Sequence, residues 1–358
     1  MVGDGLREGD EVDKGTYEVC SLIGEGGFGA VFAGLRVKAT PPHATASKLG
    51  LERELPTAAE LVARTSPLPV AIKRLRHEGG AQIVDFSSIR EVHFLGELNC
   101  DRHPNILDMY DVFFDRGNLL LVSELCSVDL DVILRGPSRG EGSSDQQPTI
   151  PPLPAGDVKY YAQSILSALN HCHKHNIVHH DIKPDNFFLN GNGLLKLGDF
   201  GLARKRNSVP QERLRAMPCV WYRAPEIFFG SRRFTAEIDM WAAGCVIMEL
   251  VTQTRMLTGE TEFQCLFTLV TVIGPQNETT WPGVSDLPTY WELDGEVPPP
   301  RAPGTVIANG EFANATTGFA DLVSRILVAD PAQRLTVRAA TAAPRSSQYV
   351  VRQCVLIC

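Results

Sequence analysis

The chain has 358 residues, 44% of them hydrophobic, and a formal net charge of -8, which is material for a large core in one bilobal unit or two domains. The acidic balance and the lack of a long basic block argue against a general nucleic-acid surface, and no apolar run approaches the roughly 20 residues of a membrane-spanning helix. Met1–Glu8 lacks the apolar core of a signal peptide, so an intracellular address is expected, cytoplasmic or nuclear; nine scattered cysteines fit free thiols better than a disulfide framework.

In chain order, residues 1–16 read as an extension. β-prone residues from Tyr17 to Phe32 flank a glycine cluster, and Leu68–Lys73 reads as a further strand. Between them, about 36–67, lies an Ala-, Pro-, Thr- and Ser-rich insertion in which Ala58–Ala63 suits a short helix. Ser87–Leu98 has apolar residues at helical spacing, with Ser87 or Ser88 as N-cap. Strands are predicted around Asp108–Phe114 and Asn118–Glu124, and a second Gly/Ser/Pro-rich insertion covers about 137–154. Helical patterns follow at Val158–Ile177, Ile238–Thr252, Thr261–Ile273 and Phe319–Val328, while no closing helix is expected after Thr336. The expected class is α+β, with a small antiparallel-sheet lobe over 17–125, a larger helical lobe over 126–340 and a tail over 341–358.

The chemistry gathers in a few places. Gly24-Glu25-Gly26-Gly27-Phe28-Gly29 fits G-x-G-x-x-G; Ala30-Val31-Phe32 continues as strand rather than opening a helix, so the glycines form a hairpin whose N–H groups can close over phosphates. Lys73 follows the apolar Val70-Ala71-Ile72, and a buried ammonium calls for a carboxylate, for which Glu91 on the next helix is the candidate. In His179-His180-Asp181-Ile182-Lys183-Pro184-Asp185-Asn186, Asp181 can accept a hydroxyl proton and Lys183 can neutralise a transferring phosphoryl group. Asn186 and Asp199 offer hard oxygens to Mg²⁺. The histidine run His171, His173, His175 lacks a Cys pair at structural-zinc spacing and reads as a helix end favoured by its dipole.

With Lys73, Glu91, Asp181, Asn186 and Asp199-Phe200-Gly201 in view, the chain from Tyr17 to about Ala340 resembles eukaryotic protein kinases. Trp221-Tyr222-Arg223-Ala224-Pro225-Glu226, Asp239–Cys245 and Trp281-Pro282-Gly283-Val284 are similar to the cyclin-dependent kinases and their relatives. The resemblance implies a bilobal serine/threonine kinase that moves the γ-phosphoryl group of Mg-ATP to protein Ser or Thr, with Pro expected next, in cell-cycle or transcription-related signalling. It implies ATP contact from Ile23 through Gly29, an adenine sandwich of Val31, Ala71 and Phe188, backbone contacts at Glu124 and Cys126, a ribose contact at Asp129, and a substrate pocket shaped by Arg223. It further implies a Glu226–Arg334 pair and a brace from Asp239 to the catalytic loop. Ser88-Ile89-Arg90-Glu91 keeps part of a cyclin-contacting motif, which makes a cyclin or cyclin-like subunit the candidate partner of the Ser87–Leu98 helix. Protein substrates are the other expected partners, with neither nucleic acid nor membrane among them.

Departures from the pattern bear on regulation. His180 stands where an arginine commonly binds an activation-segment phosphate, Ser208 is the one Ser or Thr of Leu202–Arg223, and Leu214 lies about where a phosphothreonine is usual. Cys219 replaces a threonine that usually bonds the catalytic aspartate and lysine, and Gly27-Phe28 replaces an inhibitory Thr-Tyr pair. The leading expectation is an active kinase that needs no loop phosphate; the alternative is a pseudokinase or scaffold that binds partners without efficient transfer.

Overall fold

The computed structural model describes residues 6–26, 29–38, 67–75, 84–136, 150–206, 219–233, 235–290 and 317–341. Gly27, Phe28, the Ala58–Ala63 helix, Ser208 and Leu214 lie outside the described residues. The chain divides into two compact units, Met1–Val128 with Phe188–Ala203, and Asp129–Phe187 with Arg204–Cys358.

The first unit is built on a six-stranded antiparallel sheet: β1 (Glu11–Val12), β2 (Tyr17–Gly26), β3 (Gly29–Arg36), β4 (Leu68–Leu75), β5 (Met109–Asp115) and β6 (Asn118–Glu124), in spatial order β1-β2-β3-β4-β6-β5. Alternation sorts its side chains between two faces. Val19, Phe32, Val70, Ile72, Phe113, Leu120 and Val122 pack into one buried cluster. Directly paired residues point the same way, so Val31, Lys73 and Leu121 share the opposite face with Ala33, Ala71 and Ser123.

Among the described residues one α-helix, Phe86–Asn99, belongs to this unit, and it buries Glu91, Val92, Leu95 and Leu98. Its N-cap is Asp85, in extended conformation, rather than Ser87 or Ser88. The Ser87 hydroxyl donates back to the Asp85 carboxylate and Ser88 is buried within the first turn, so neither serine occupies the capping position.

The second unit centres on the Ala236–Thr252 helix, buried without a break from Ile238 to Leu250. A helix apolar on every side is an interior helix. Gly244 admits its neighbours: a Cβ there would stand 2.6 Å from Ile326 Cγ2 and 2.8 Å from Leu327 Cδ2. The Ala155–Lys174 helix packs on the same central helix. It stops short of Ile177 because Asn176 takes a left-handed conformation and Ile177-Val178 turns into a strand paired with Arg204-Lys205. The Glu262–Ile273 helix opens with a full capping box from Thr261 and Gln264. Contrary to the expectation for the end of the chain, a short Val337–Thr341 helix follows Thr336, whose hydroxyl accepts from the Ala339 N–H while Val337 and Ala340 turn inward. Among the described residues no helix is long and apolar enough to cross a membrane.

A buried ion pair ties the second unit together. Arg334 meets the two Glu226 oxygens at 2.8 Å each, and its remaining N–H groups donate to the carbonyls of Val328, Glu237 and Ala329. All five guanidinium donors are thus used, which a lysine could not reproduce from a single nitrogen. Arg334→Ala strands a buried carboxylate and should cost about 3–5 kcal/mol, with Arg334→Lys recovering only part of it. Urea unfolding measures this, and an unchanged midpoint for the alanine variant would contradict the assignment.

Candidate active site

In the first unit the glycine hairpin closes through the Gly26–Gly29 pair, where β2 meets β3. Gly29 has φ +131°, and a Cβ there would lie 2.1 Å from the Arg74 carbonyl oxygen, so no other residue fits. Ile23 and Glu25 are exposed on this hairpin, whereas Val31 and Ala71 lie on the Lys73 face of the sheet. The ring of Phe188 lies close to Gly198, whose missing side chain makes room for it.

The sheet delivers Lys73 to the crossing helix. Its ammonium contacts Glu91 at 2.6 and 2.8 Å, and Asp199 Oδ1 lies 3.9 Å away. Burial alone would lower the Lys73 pKa, yet the Glu91 and Asp199 charges and the hydrogen bond to Glu91 raise it above its ordinary value. Burial pushes the Glu91 carboxyl up, with Lys73 pulling it back and Asp199 adding to the rise. The two directions disagree about which charge the pair favours; a two-pronged contact this short is the geometry of an ionised pair, so the raised ammonium is the direction that decides.

Asp199 stands in a left-handed conformation, with its carboxylate accepting the Gly201 N–H at 3.4 Å. Arg90 Nε donates to the Gly201 carbonyl at 2.9 Å, so adjacent residues of one helix hold both Lys73 and the Asp199-Phe200-Gly201 turn. At the end of β6, the Glu124 carboxylate is taken up by Lys196, Asn190 and the Asp108 N–H, which keeps that side chain inward. Burial, reinforced by Glu124, pushes the Cys126 thiol up to about 12 and keeps it protonated.

The second unit carries the other candidates on its loop after Ile177-Val178. Asp181 is buried; Lys183 Nζ lies 2.9 Å from its Oδ2, and the Asn186 amide donates to the same oxygen at 3.0 Å and to the Asp181 carbonyl at 2.6 Å. With its nitrogen committed in this way, Asn186 can offer a cation its amide oxygen. Burial would lower the Lys183 pKa, and the Asp181 carboxylate raises it instead. Cys219 is half-buried, and that burial holds its thiol above the usual range. Asp129 uses one carboxylate oxygen to cap the Leu130–Arg135 helix, accepting from the Val132 N–H at 2.8 Å.

Asp239, wholly buried on the central helix, holds this loop. Its Oδ2 accepts the His179 N–H and its Oδ1 the His180 N–H, both at 2.8 Å, and His173 Nε2 approaches Oδ2 at 2.9 Å. Burial would raise the Asp239 pKa, but the hydrogen bond from His173 and the neighbouring histidines lower it below the ordinary carboxylate value. His180 has φ +67°, a left-handed backbone worth about 1–2 kcal/mol of strain for a side-chain-bearing residue, and the two N–H bonds to Asp239 enforce it.

The segment from Trp221 is anchored by charge as well. Tyr222 donates to Glu249 at 2.7 Å, Arg135 pairs with the same carboxylate, and Arg255 stacks 3.9 Å over the Trp221 ring. Arg223 is buried, pairing with Glu262 at 2.6 Å and lying over the Phe228 ring. Three residues without a role in the sequence analysis stand out: Lys196, Glu249 and His173 each serve a distant partner. Only Lys196 leaves a sequence signal, as a charge inside the strand Leu195-Lys196-Leu197.

The chemistry of these donor sets is definite. A single ammonium between carboxylates suits a phosphate, and in the second unit Asp181 beside Lys183 suits proton acceptance from an alcohol. Lys73→Met should leave Glu91 buried without its cation and lower phosphotransfer at least a hundredfold, while nucleotide-free protein stays folded; steady-state kinetics beside circular dichroism checks both.

Three comparisons place this geometry. The chain matches the protein kinase domain family over residues 55–345, a span that begins after the glycine hairpin. It is 31% identical over 320 residues to "Cyclin-dependent kinase 7" of Dictyostelium discoideum, covering 89% of this chain and 76% of that protein. It is 34% identical over 271 residues to "Cyclin-dependent kinase D-1" of Oryza sativa subsp. indica and of Arabidopsis thaliana, covering 76% of this chain but only 59% and 63% of those proteins. Among solved structures, a chain of the CAK complex from Chaetomium thermophilum bound to ATP-gamma-S superposes with a TM-score of 0.71 at 28% identity, covering 96% of this chain and 95% of that one. Family match, curated relatives and structural neighbour agree: the chain belongs to the protein kinases, as a cyclin-dependent-kinase-like member.

Proposed function

We propose that the chain is a Mg-ATP-dependent serine/threonine kinase that phosphorylates protein Ser or Thr, with preference for a following Pro. The observation that carries this reading is the closed Lys73–Glu91 pair beside Asp199, since a phosphate-binding ammonium set in this way serves phosphoryl transfer. In the reaction the substrate hydroxyl oxygen forms a bond to the γ-phosphorus as the bond to the β,γ-bridging oxygen breaks. Asp181 accepts the hydroxyl proton, and Lys183 offsets the charge on the transferring group. Lys73 and the hairpin N–H groups hold the phosphates; Asn186 and Asp199 would hold Mg²⁺, which supplies charge neutralisation when bound. Arg223, fixed by Glu262 and Phe228, shapes the site for the residue after the phosphoacceptor.

The partner proposed is a cyclin or cyclin-like subunit on the Phe86–Asn99 helix, where Phe86 and Ile89 are 70% and 49% exposed. His180 in place of arginine supports activation by that partner without a loop phosphate. An intracellular address, cytoplasmic or nuclear, goes with such substrates.

With a candidate cyclin supplied, the wild type should phosphorylate Ser-Pro peptides about 10²–10⁴-fold faster than Asp181→Asn, a variant that retains ATP-induced thermal stabilisation. Equal rates for the two proteins would overturn the reading.

A further inference from the structure

We propose that His171 and His175 form a two-histidine chelate for a borderline divalent transition cation such as Zn²⁺, a site separate from the phosphotransfer residues and independent of the kinase reading.

The site lies within the second unit, at the end of the Ala155–Lys174 helix. His171 stands in the last turn and His175 is the C-cap; the His175 N–H donates to the His171 carbonyl at 3.3 Å, so the i,i+4 relation carries through the cap. Side chains so spaced stand one above the other on a single face. The ring centroids are 4.7 Å apart, and a ring nitrogen of one lies within 4.8 Å of a ring nitrogen of the other. A tetrahedral zinc ion with bonds of about 2.0–2.1 Å holds two imidazole nitrogens about 3.4 Å apart. Side-chain rotation at His175, which is only half-buried, closes that difference. The same spacing of two histidines on a helix binds zinc in metalloproteases. Each imidazole has two nitrogens, so one can ligate while the other keeps a hydrogen-bond partner, the usual state of a metal-bound histidine.

The surroundings select the ion. A 20-residue helix presents the negative end of its dipole here, and the Lys205 ammonium already sits on the His175 carbonyl at 3.2 Å. His173 is turned to Asp239, and burial holds the Cys172 thiol well above its usual range, so that it stays protonated. The donors are therefore imidazole nitrogens, which suit zinc, copper and nickel, whereas Mg²⁺ takes oxygen. With two protein ligands where a structural zinc site has four, water fills the remaining positions and binding is weaker than at a structural site.

Thermal unfolding of the full chain without nucleotide tests the site. Zn²⁺ should raise the wild-type Tm by about 2 °C or more, and the rise should be lost in His171→Phe and in His175→Gln. Mg²⁺ should give all three proteins the same response. In NMR spectra of the wild type, zinc should move the ring signals of His171 and His175. Zinc stabilisation as large in both variants as in the wild type, the result expected of ions held at cysteines, overturns the proposal, and so do His171 and His175 ring signals that zinc leaves in place. Should His171→Phe not fold, His175→Gln and the wild-type ring signals decide.

Discussion

A carboxylate sealed inside the second unit is the constraint on which the loop that carries Asp181 depends. Asp239 belongs to the central helix, buried without a break from Ile238 to Leu250, and so its position is set by packing on every side. Its charge is retained because three hydrogen bonds replace the water it has lost. The loop that carries Asp181 has little regular structure of its own, and a left-handed residue at His180 works against it. Its shape is therefore imposed by the helix through those bonds, and rigidity made in the core is delivered to the loop that carries Asp181.

The same economy governs the other buried charges. Lys73 is buried with Glu91, Arg334 with Glu226, Lys196 with Asp108 and Glu124, and Glu249 with Arg135 and Tyr222. Each pair spans distant segments, because a charge out of water must be met wherever in the chain its partner lies. Such pairs add little net stability compared with apolar packing, but they penalise misplacement heavily. They suit a protein whose reacting groups must be held to fractions of an ångström.

Much of this is legible in the sequence, and the reason differs by residue. Asp181, Lys183 and Asn186 lie within six positions of one another, so their relation is written into the spacing. The partner of Lys73 follows from the cost of a lone buried ammonium, and the two side chains meet in the structure. Helix and strand positions follow hydrophobic period, but their ends do not. Ile177 and Val178 continue the apolar pattern of the helix before them and still turn into a strand, because Asn176 supplies a stop and Arg204-Lys205 a partner. His173 reads as one of a run of helix-end histidines; nothing local distinguishes it, since Asp239 is 66 positions away. Glu249 is hidden for the same reason, its partners Arg135 and Tyr222 lying far off in the chain.

Arg90 and Glu91 are adjacent in sequence, yet one grips the Asp199-Phe200-Gly201 turn and the other grips Lys73. The helix that bears them exposes Phe86 and Ile89. Any molecule that seats on that apolar side and favours one placement of the helix must change the free energy of the ammonium and of the turn together. Thermodynamic linkage makes the effect mutual, so a nucleotide that rewards the closed pair tightens the docking of the partner by the same factor. The fold has thereby made two neighbouring side chains into a balance beam, on which occupancy of one pan is always felt in the other.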